Sequence, residues 1–216
     1  MAYTIIDGIE AIVSEVDQYL QLNDISRADL SRVWGHINDK YASYEKWICY
    51  HNYTDIPLAL LGEIDAVIKD DCIETRLKPG YFIDSDTLDV VPITEENFDA
   101  FAAYHSVRNP HWIKSELIWR NFSRWSIFAL FTNNQITDYL LLAMGNPAQA
   151  EIFGVEASDD TNCKALITSA AKHAFKHGKK EVLYMAEENT MAHAAAISLG
   201  FANTGWYKGY QIKPNI

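Results

Sequence analysis

The stretch that most limits what this chain can fold into runs over residues 151–201. It reads as strand, tight loop, helix, strand, helix. Ile152, Phe153 and Val155 form a short apolar run with β-branched and aromatic members, the signature of a buried strand. Gly154 interrupts it, and a glycine inside a strand pattern marks a bulge or a close backbone approach. Asp159, Asp160, Thr161 and Asn162 follow, all turn or N-cap residues. Ala165, Leu166, Ser169, Ala170, His173, Ala174 and His177 then recur at helical spacing up to a glycine stop at Gly178. Val182, Leu183, Tyr184 and Met185 make a second apolar strand. Asn189 and Thr190 open an alanine-rich helix that stops at Gly200.

A strand, a helix and a strand at this length make one βαβ unit, so the two strands are expected to be parallel and the crossover right-handed. The loop after the first strand aims backbone N–H groups and a helix N-terminus at one spot, which suits an anion. The plain alternative is a generic α/β connection that binds nothing.

Residues 155–201 resemble the central half of the GNAT family of acyl-CoA N-acyltransferases. Asn189, Ala192, Leu199, Gly200 and Phe201 are similar to the family's Asn-x-x-Ala and Leu-Gly-Phe signature at unbroken spacing. Lys164-Ala-Leu-Ile and Gly178-Lys-Lys-Glu-Val-Leu also fall where family members have them. Two departures stand out. The glycines of the family's pyrophosphate loop correspond to Thr161 and Cys163, in a loop about two residues short, and a Cβ there hinders close approach to a phosphate. The position of the family's proton-donating tyrosine is Ala196.

Composition excludes several other classes. A net charge of −11 and a pI near 5.0 argue against nucleic-acid binding and suit a cationic amine or a basic partner. A hydrophobic fraction of 49% argues against disorder. Cys49, Cys72 and Cys163 are widely spaced and form no paired motif, which points to reduced thiols and the cytoplasm. No Cys/His spacing suits zinc, so no metal is expected. The first residues carry acids within the apolar pattern and no basic region, so they do not read as a signal peptide. No apolar run reaches membrane-span length, and no internal repeat is visible.

The N-terminal third has helical spacing. Ile5, Ile6, Ile9, Ile12, Val13, Val16, Tyr19 and Leu20 share one helical face. Ser26 caps a second expected helix, running through Leu30, Val33, Trp34, Ile37, Tyr41, Tyr44, Trp47 and Ile48. Pro57 opens a third, through Leu61, Ile64 and Ile68. The stripe of Trp34, Tyr41, Tyr44 and Trp47 is expected to be core or a face against the second domain, with a ligand or homodimer surface as the alternative. Polar residues around Lys78-Pro-Gly and Asp84-Ser-Asp86 divide a helical region at 1–80 from a domain at 86–216. In that domain Leu88 to Ile93 reads as a strand and Thr94-Glu-Glu-Asn caps a helix, which Asn109-Pro110-His111 ends. A short helix follows from Ser115, then strands at 126–131 and 139–144 joined by Thr132-Asn-Asn-Gln. The expected class is α/β (α+β): a mixed, mostly antiparallel GNAT-like sheet flanked by helices, preceded by an N-terminal helical region.

The resemblance implies N-acetyl transfer from acetyl-CoA to an amine, on a small molecule or a protein, with an inactive binding or interaction module as the alternative. It implies that backbone groups of Phe153 and Val155 pair with the pantetheine arm of coenzyme A. The N–H groups of Asn162, Cys163, Lys164 and Ala165 would face the pyrophosphate, with the Lys164 ammonium adding charge, and Asn189 would touch the arm. Glu151 is the candidate base, with Glu156 as the alternate, and His193 is placed near the same cleft. Cys163 at a helix N-terminus would have a lowered thiol pKa.

Overall fold

The computed structural model describes residues 2–15, 18–85, 88–109 and 113–214. Val16, Asp86, Pro110 and His111, named above, lie outside them. The chain divides into two compact units: Met1–Ile73 with Gly205–Ile216, and Glu74–Thr204.

The first unit corrects the expected N-terminal helices. Ala2–Ile6, Ile9–Ser14 and Tyr19–Asn23 are strands β1, β2 and β3. Asp7 and Gly8 both have positive φ, at 49° and 82°, and turn β1 into β2. That is the backbone a two-residue hairpin of the primed type requires, and Asp-Gly supplies it. Helix α1, Arg27–Lys40, starts as expected, with the Ser26 hydroxyl accepting from the Asp29 N–H at 3.1 Å. It ends before Trp47 and Ile48, which lie on β4, Glu45–His51. Pro57 precedes α2, Leu58–Glu63, and Ile68 belongs to β5, Val67–Leu77.

The strand order in this unit is β1-β2-β3-β4 and then the end of β11, Ala202–Ile212. β3 and β4 are parallel across α1, and the other pairs are antiparallel. Alternation sorts the side chains. Leu20, Leu22, Ile48 and Tyr50 join Leu30, Val33 and Ile37 of α1 in one core. The aromatic stripe therefore splits: Trp34, Tyr41 and Tyr44 pack on this core, while Trp47 takes the other face of β4. Lys46 is wholly buried on the core face, and its ammonium donates to the Tyr44 carbonyl at 3.2 Å, near the end of α1. Burial lowers its pKa.

The second unit follows the order implied by the resemblance. It holds β6 (Val91–Pro92), α3 (Phe98–Arg108), α4 (Ser115–Arg120), β7 (Trp125–Thr132) and β8 (Gln135–Ala143). Then come β9 (Gln149–Glu156), α5 (Asp160–Lys176), β10 (Glu181–Glu187) and α6 (Met191–Ser198). Strand order is β6-β7-β8-β9-β10, with the end of β5 beside β10. Asn133 and Asn134, both at positive φ, turn β7 into β8 as the sequence suggested. One core lies between the sheet and α5 and α6, built from Leu140, Leu142, Ile152, Leu166, Ala170, Val182, Ala196 and Leu199 among others. A second lies on the opposite face under α3 and α4.

Both units share a topology that shows no trace as a sequence repeat. In each, successive antiparallel pairings, two in the first unit and three in the second, lead to a parallel pair across a helix, then a short helix and a last strand. The last strand of each begins in one unit and finishes in the other: β5 crosses the division at residues 73 and 74, β11 at 204 and 205.

A buried polar network fixes α3 on β8. His105 Nε2 lies 2.7 Å from the Ile113 carbonyl and must donate to it, so Nδ1 accepts from the Tyr139 hydroxyl at 2.7 Å. The same hydroxyl accepts from Asn109 Nδ2 at 2.6 Å. Tyr139→Phe removes the group these two share, in a position with no access to water. The expected loss is about 1–3 kcal/mol, read as a lowered midpoint in urea with an unchanged m-value.

Candidate active site

The parallel pairing of β9 with β10 ends early. It runs from Gln149 opposite Glu181 to Ile152 opposite Tyr184. β9 continues to Glu156 and β10 to Glu187. The strands therefore diverge over residues 153–156 and 185–187, and their facing backbone groups are left outside the ladder. The cause lies on the other side of β9. There Leu141 opposes Gly154 and Leu142 opposes Ile152, so Phe153 is an extra residue that bends the strand. The equivalent pair in the first unit shows no such slot. β3 stays paired with β4 through its last residue, Asn23 opposite Cys49.

Glu151 sits just before the divergence. On β9, Ala150 and Ile152 belong to the core under α5, so alternation puts Glu151 on the opposite face. Phe153 shares that face. It is 45% exposed and meets Trp125 edge-to-face, with ring centroids 5.6 Å apart. Burial raises the pKa of the Glu151 carboxyl. Nearby, Arg76 donates from Nε to Glu74 at 2.9 Å, and from Nη1 to Gln149 at 3.4 Å and to Glu181.

His193 is not brought to Glu151. It lies on α6, which packs on the α5 side of the sheet through Ala195 and Ala196. Its Nε2 is 3.1 Å from Asn203 Oδ1. Ala196 is wholly buried, so the position that lacks a tyrosine is filled by core packing.

The loop from β9 into α5 holds the residues of the expected anion site, and two of their N–H groups have partners within the chain. Asp159 caps the helix, with Oδ1 accepting from the Asn162 N–H at 2.8 Å and the backbone carbonyl accepting from the Cys163 N–H at 3.0 Å. Lys164 and Ala165 lie inside α5, and the Lys164 ammonium is held by Asp160 at 2.6 Å. Asp138, wholly buried in the first half of β8, reaches the same loop. Its Oδ1 accepts from the Ser158 N–H at 2.5 Å, and Oδ2 accepts from Asn162 Nδ2 at 3.1 Å. Burial raises its pKa, but hydrogen bonds from Thr137, Ser158 and Asn162 outweigh this and hold the carboxyl below its ordinary value. Cys163 is buried as well. Burial, helped by the Asp160, Asp138 and Asp159 charges, pushes its thiol up to about 12, opposite to the lowering expected at a helix N-terminus.

Beside this loop is an open cleft of about 530 Å³, lined among others by Tyr104, Arg108, Thr137, Asp138 and Asn162. Arg108 reaches Glu156 at 3.7 Å and lies over the Tyr104 ring. Glu156, the alternate base, therefore ends at this cleft. Asn189 is exposed in the turn after β10 at φ 63°, a left-handed conformation that asparagine tolerates. Because β9 and β10 are parallel, Asn189 and the start of α5 share one end of the slot. Among the described residues, no group of three His, Cys, Asp or Glu is placed to hold a metal ion. No described helix is long and apolar enough to cross a membrane.

No family model matches the chain, and no curated protein matches it by sequence. Solved structures do match. A GCN5-related N-acetyltransferase from Kribbella flavida superposes with a TM-score of 0.70 at 8% identity, covering 98% of this chain and 89% of that one. A conserved protein of unknown function from Staphylococcus epidermidis ATCC 12228 gives 0.71 at 11% identity, covering 96% and 91%. A tandem GNAT protein from the clavulanic acid biosynthesis pathway gives 0.59 at 12%, covering 96% and 79%. The chain has the GNAT fold: a mixed, mostly antiparallel sheet flanked by helices.

Proposed function

We propose that the protein is an N-acyltransferase that moves an acyl group from a thioester to an amine, with acetyl-CoA the donor that the resemblance implies. The observation that carries this reading is Glu151. It is a half-buried residue whose carboxyl is held above its ordinary pKa by desolvation, beside the point where β9 and β10 part. A carboxylate whose pKa is raised in this way binds a proton more readily than an ordinary one and suits the role of a base. The open strand edges at 153–156 and 185–187 offer N–H and C=O groups to the amides of a pantetheine arm, as an added strand would.

In this reading the donor supplies an acyl carbon activated as a thioester. Glu151 takes a proton from the acceptor's ammonium. The freed nitrogen bonds to the acyl carbon and gives up a second proton to solvent, the C–S bond breaks, and the electron pair leaves on sulfur. Solvent protonates that thiolate, since Ala196 has no proton to give. Phe153 and Trp125 offer an apolar wall on the Glu151 face. The net charge of −11 favours approach of a cationic acceptor, on a small molecule or a protein. A cytoplasmic location and a homodimer belong to the same proposal.

The test is release of free thiol from acetyl-CoA in the presence of a panel of amines, with mass spectrometry of the amide product. The closed loop at α5 and the buried Ala196 favour a second reading, an inactive binding module. It prevails if no amine is acylated and calorimetry gives no heat with acetyl-CoA.

A further inference from the structure

We propose that Asp138 stands in for the donor's diphosphate, so that the donor is recognised by its acylated pantetheine arm alone; this rests on the acyl-transfer reading. A diphosphate at a helix N-terminus is held by free N–H groups and a positive end charge. Here three of those N–H groups, of Ser158, Asn162 and Cys163, are spent within the chain. The Ser158 N–H and the Asn162 side chain go to the Asp138 carboxylate. The Asn162 N–H goes to Asp159 Oδ1 and the Cys163 N–H to the Asp159 carbonyl.

The charges agree with this. Asp138, Asp159, Asp160 and Glu156 face the loop, and its two cations are already engaged, Lys164 by Asp160 and Arg108 by Glu156. Asp138 has no access to water, and its carboxyl is held ionised by the hydrogen bonds it accepts. A diphosphate arriving here would meet carboxylates and a loop whose Ser158, Asn162 and Cys163 N–H groups are already engaged, whereas the slot between β9 and β10 stays open to an uncharged arm. The arm could come as coenzyme A with its diphosphate left in solvent, or as pantetheine or phosphopantetheine.

Calorimetry on the full chain with acetyl-CoA, S-acetylphosphopantetheine and S-acetylpantetheine tests this. The three are expected to bind the wild type within about threefold of one another, since no charge-assisted hydrogen bond separates them. Asp138→Asn should tighten acetyl-CoA by about tenfold and leave S-acetylpantetheine unchanged, because it removes one buried like charge. Asp160→Asn, at an exposed position that frees Lys164, should shift the ratio the same way by a smaller factor. Wild-type binding of acetyl-CoA more than about tenfold tighter than S-acetylpantetheine overturns the inference alone. So does an unchanged ratio in both variants. No binding of any of the three at millimolar concentration overturns the acyl-transfer reading and this inference with it.

Discussion

Replacing Glu151 with glutamine is expected to slow amide formation by about 10²–10⁴-fold while making the protein more stable at neutral pH. The two effects share a cause. Among the described residues no hydrogen-bonded or ionic partner accompanies the half-buried Glu151 carboxylate, and its pKa is raised because burial penalises the charged form. The folded protein therefore holds this proton more tightly than the unfolded chain does. Its contribution falls as pH rises from the ordinary glutamate value through the raised folded one. Above that window the wild type carries the full cost of a buried charge. Glutamine avoids the charge but still loses water, so only part of the cost is regained. A gain of about 1 kcal/mol is expected, corresponding to about 2–4 °C for a chain of this size. The gain should vanish below the ordinary glutamate range, where the residue is protonated in both states. Melting curves of the two proteins at pH 7 and pH 4 read the stability effect, and thiol release reads the rate. A variant that keeps full activity removes Glu151 as the base. One that is less stable at pH 7 contradicts the desolvation account.

Gly200→Ala is expected to be the most damaging single methyl in the second unit. Gly200 follows α6 at φ 97°, with its N–H bonded to the Ile197 carbonyl and the Phe201 N–H bonded to the Ala196 carbonyl. This glycine-dependent helix stop closes two carbonyls that the helix itself leaves open. A side chain in the left-handed region costs about 1–2 kcal/mol. Here a Cβ would also lie 1.9 Å from the Tyr81 carbonyl oxygen, and a backbone atom cannot swing aside. Segment 81–83, which bonds to the helix end through the Ile83 N–H and the Leu199 carbonyl at 3.0 Å, would have to detach. A total loss of about 3–5 kcal/mol follows, a large part of the 5–15 kcal/mol that holds an ordinary domain together. Gly178→Ala supplies the comparison. It also stands at positive φ, 77°, but nothing lies within 4 Å of its Cβ, so it should lose only about 1–2 kcal/mol. Equal midpoints for the two variants in urea would rule out the clash with Tyr81.

Much of the second unit can be read from local residues, because local chemistry fixes its boundaries. Asp159 and Thr190 cap α5 and α6, Asn133 and Asn134 turn β7 into β8, and Gly200 ends α6. Such features need only the few residues around them. The N-terminal third misleads for the opposite reason. Isoleucines at 5, 6, 9 and 12 fit a helical stripe, and they equally fit two short strands around a turn. The Asp7-Gly8 pair was the one local sign of the hairpin. What decides between the two is pairing over distance. β4 lies between β3 and β11, and its partners run from residue 19 to residue 212. Pairings so remote leave no period in a short window, and tertiary packing overrides the propensity. The site divides along the same line. The sequence places Glu151, Phe153 and the start of α5 around one βαβ connection. Only the tertiary structure puts Asp138, 20 residues before Ser158 and 24 before Asn162, against that connection. A buried carboxylate must take its hydrogen bonds from whatever donors the fold brings within reach, and here those are the Ser158 N–H and the Asn162 side-chain amide.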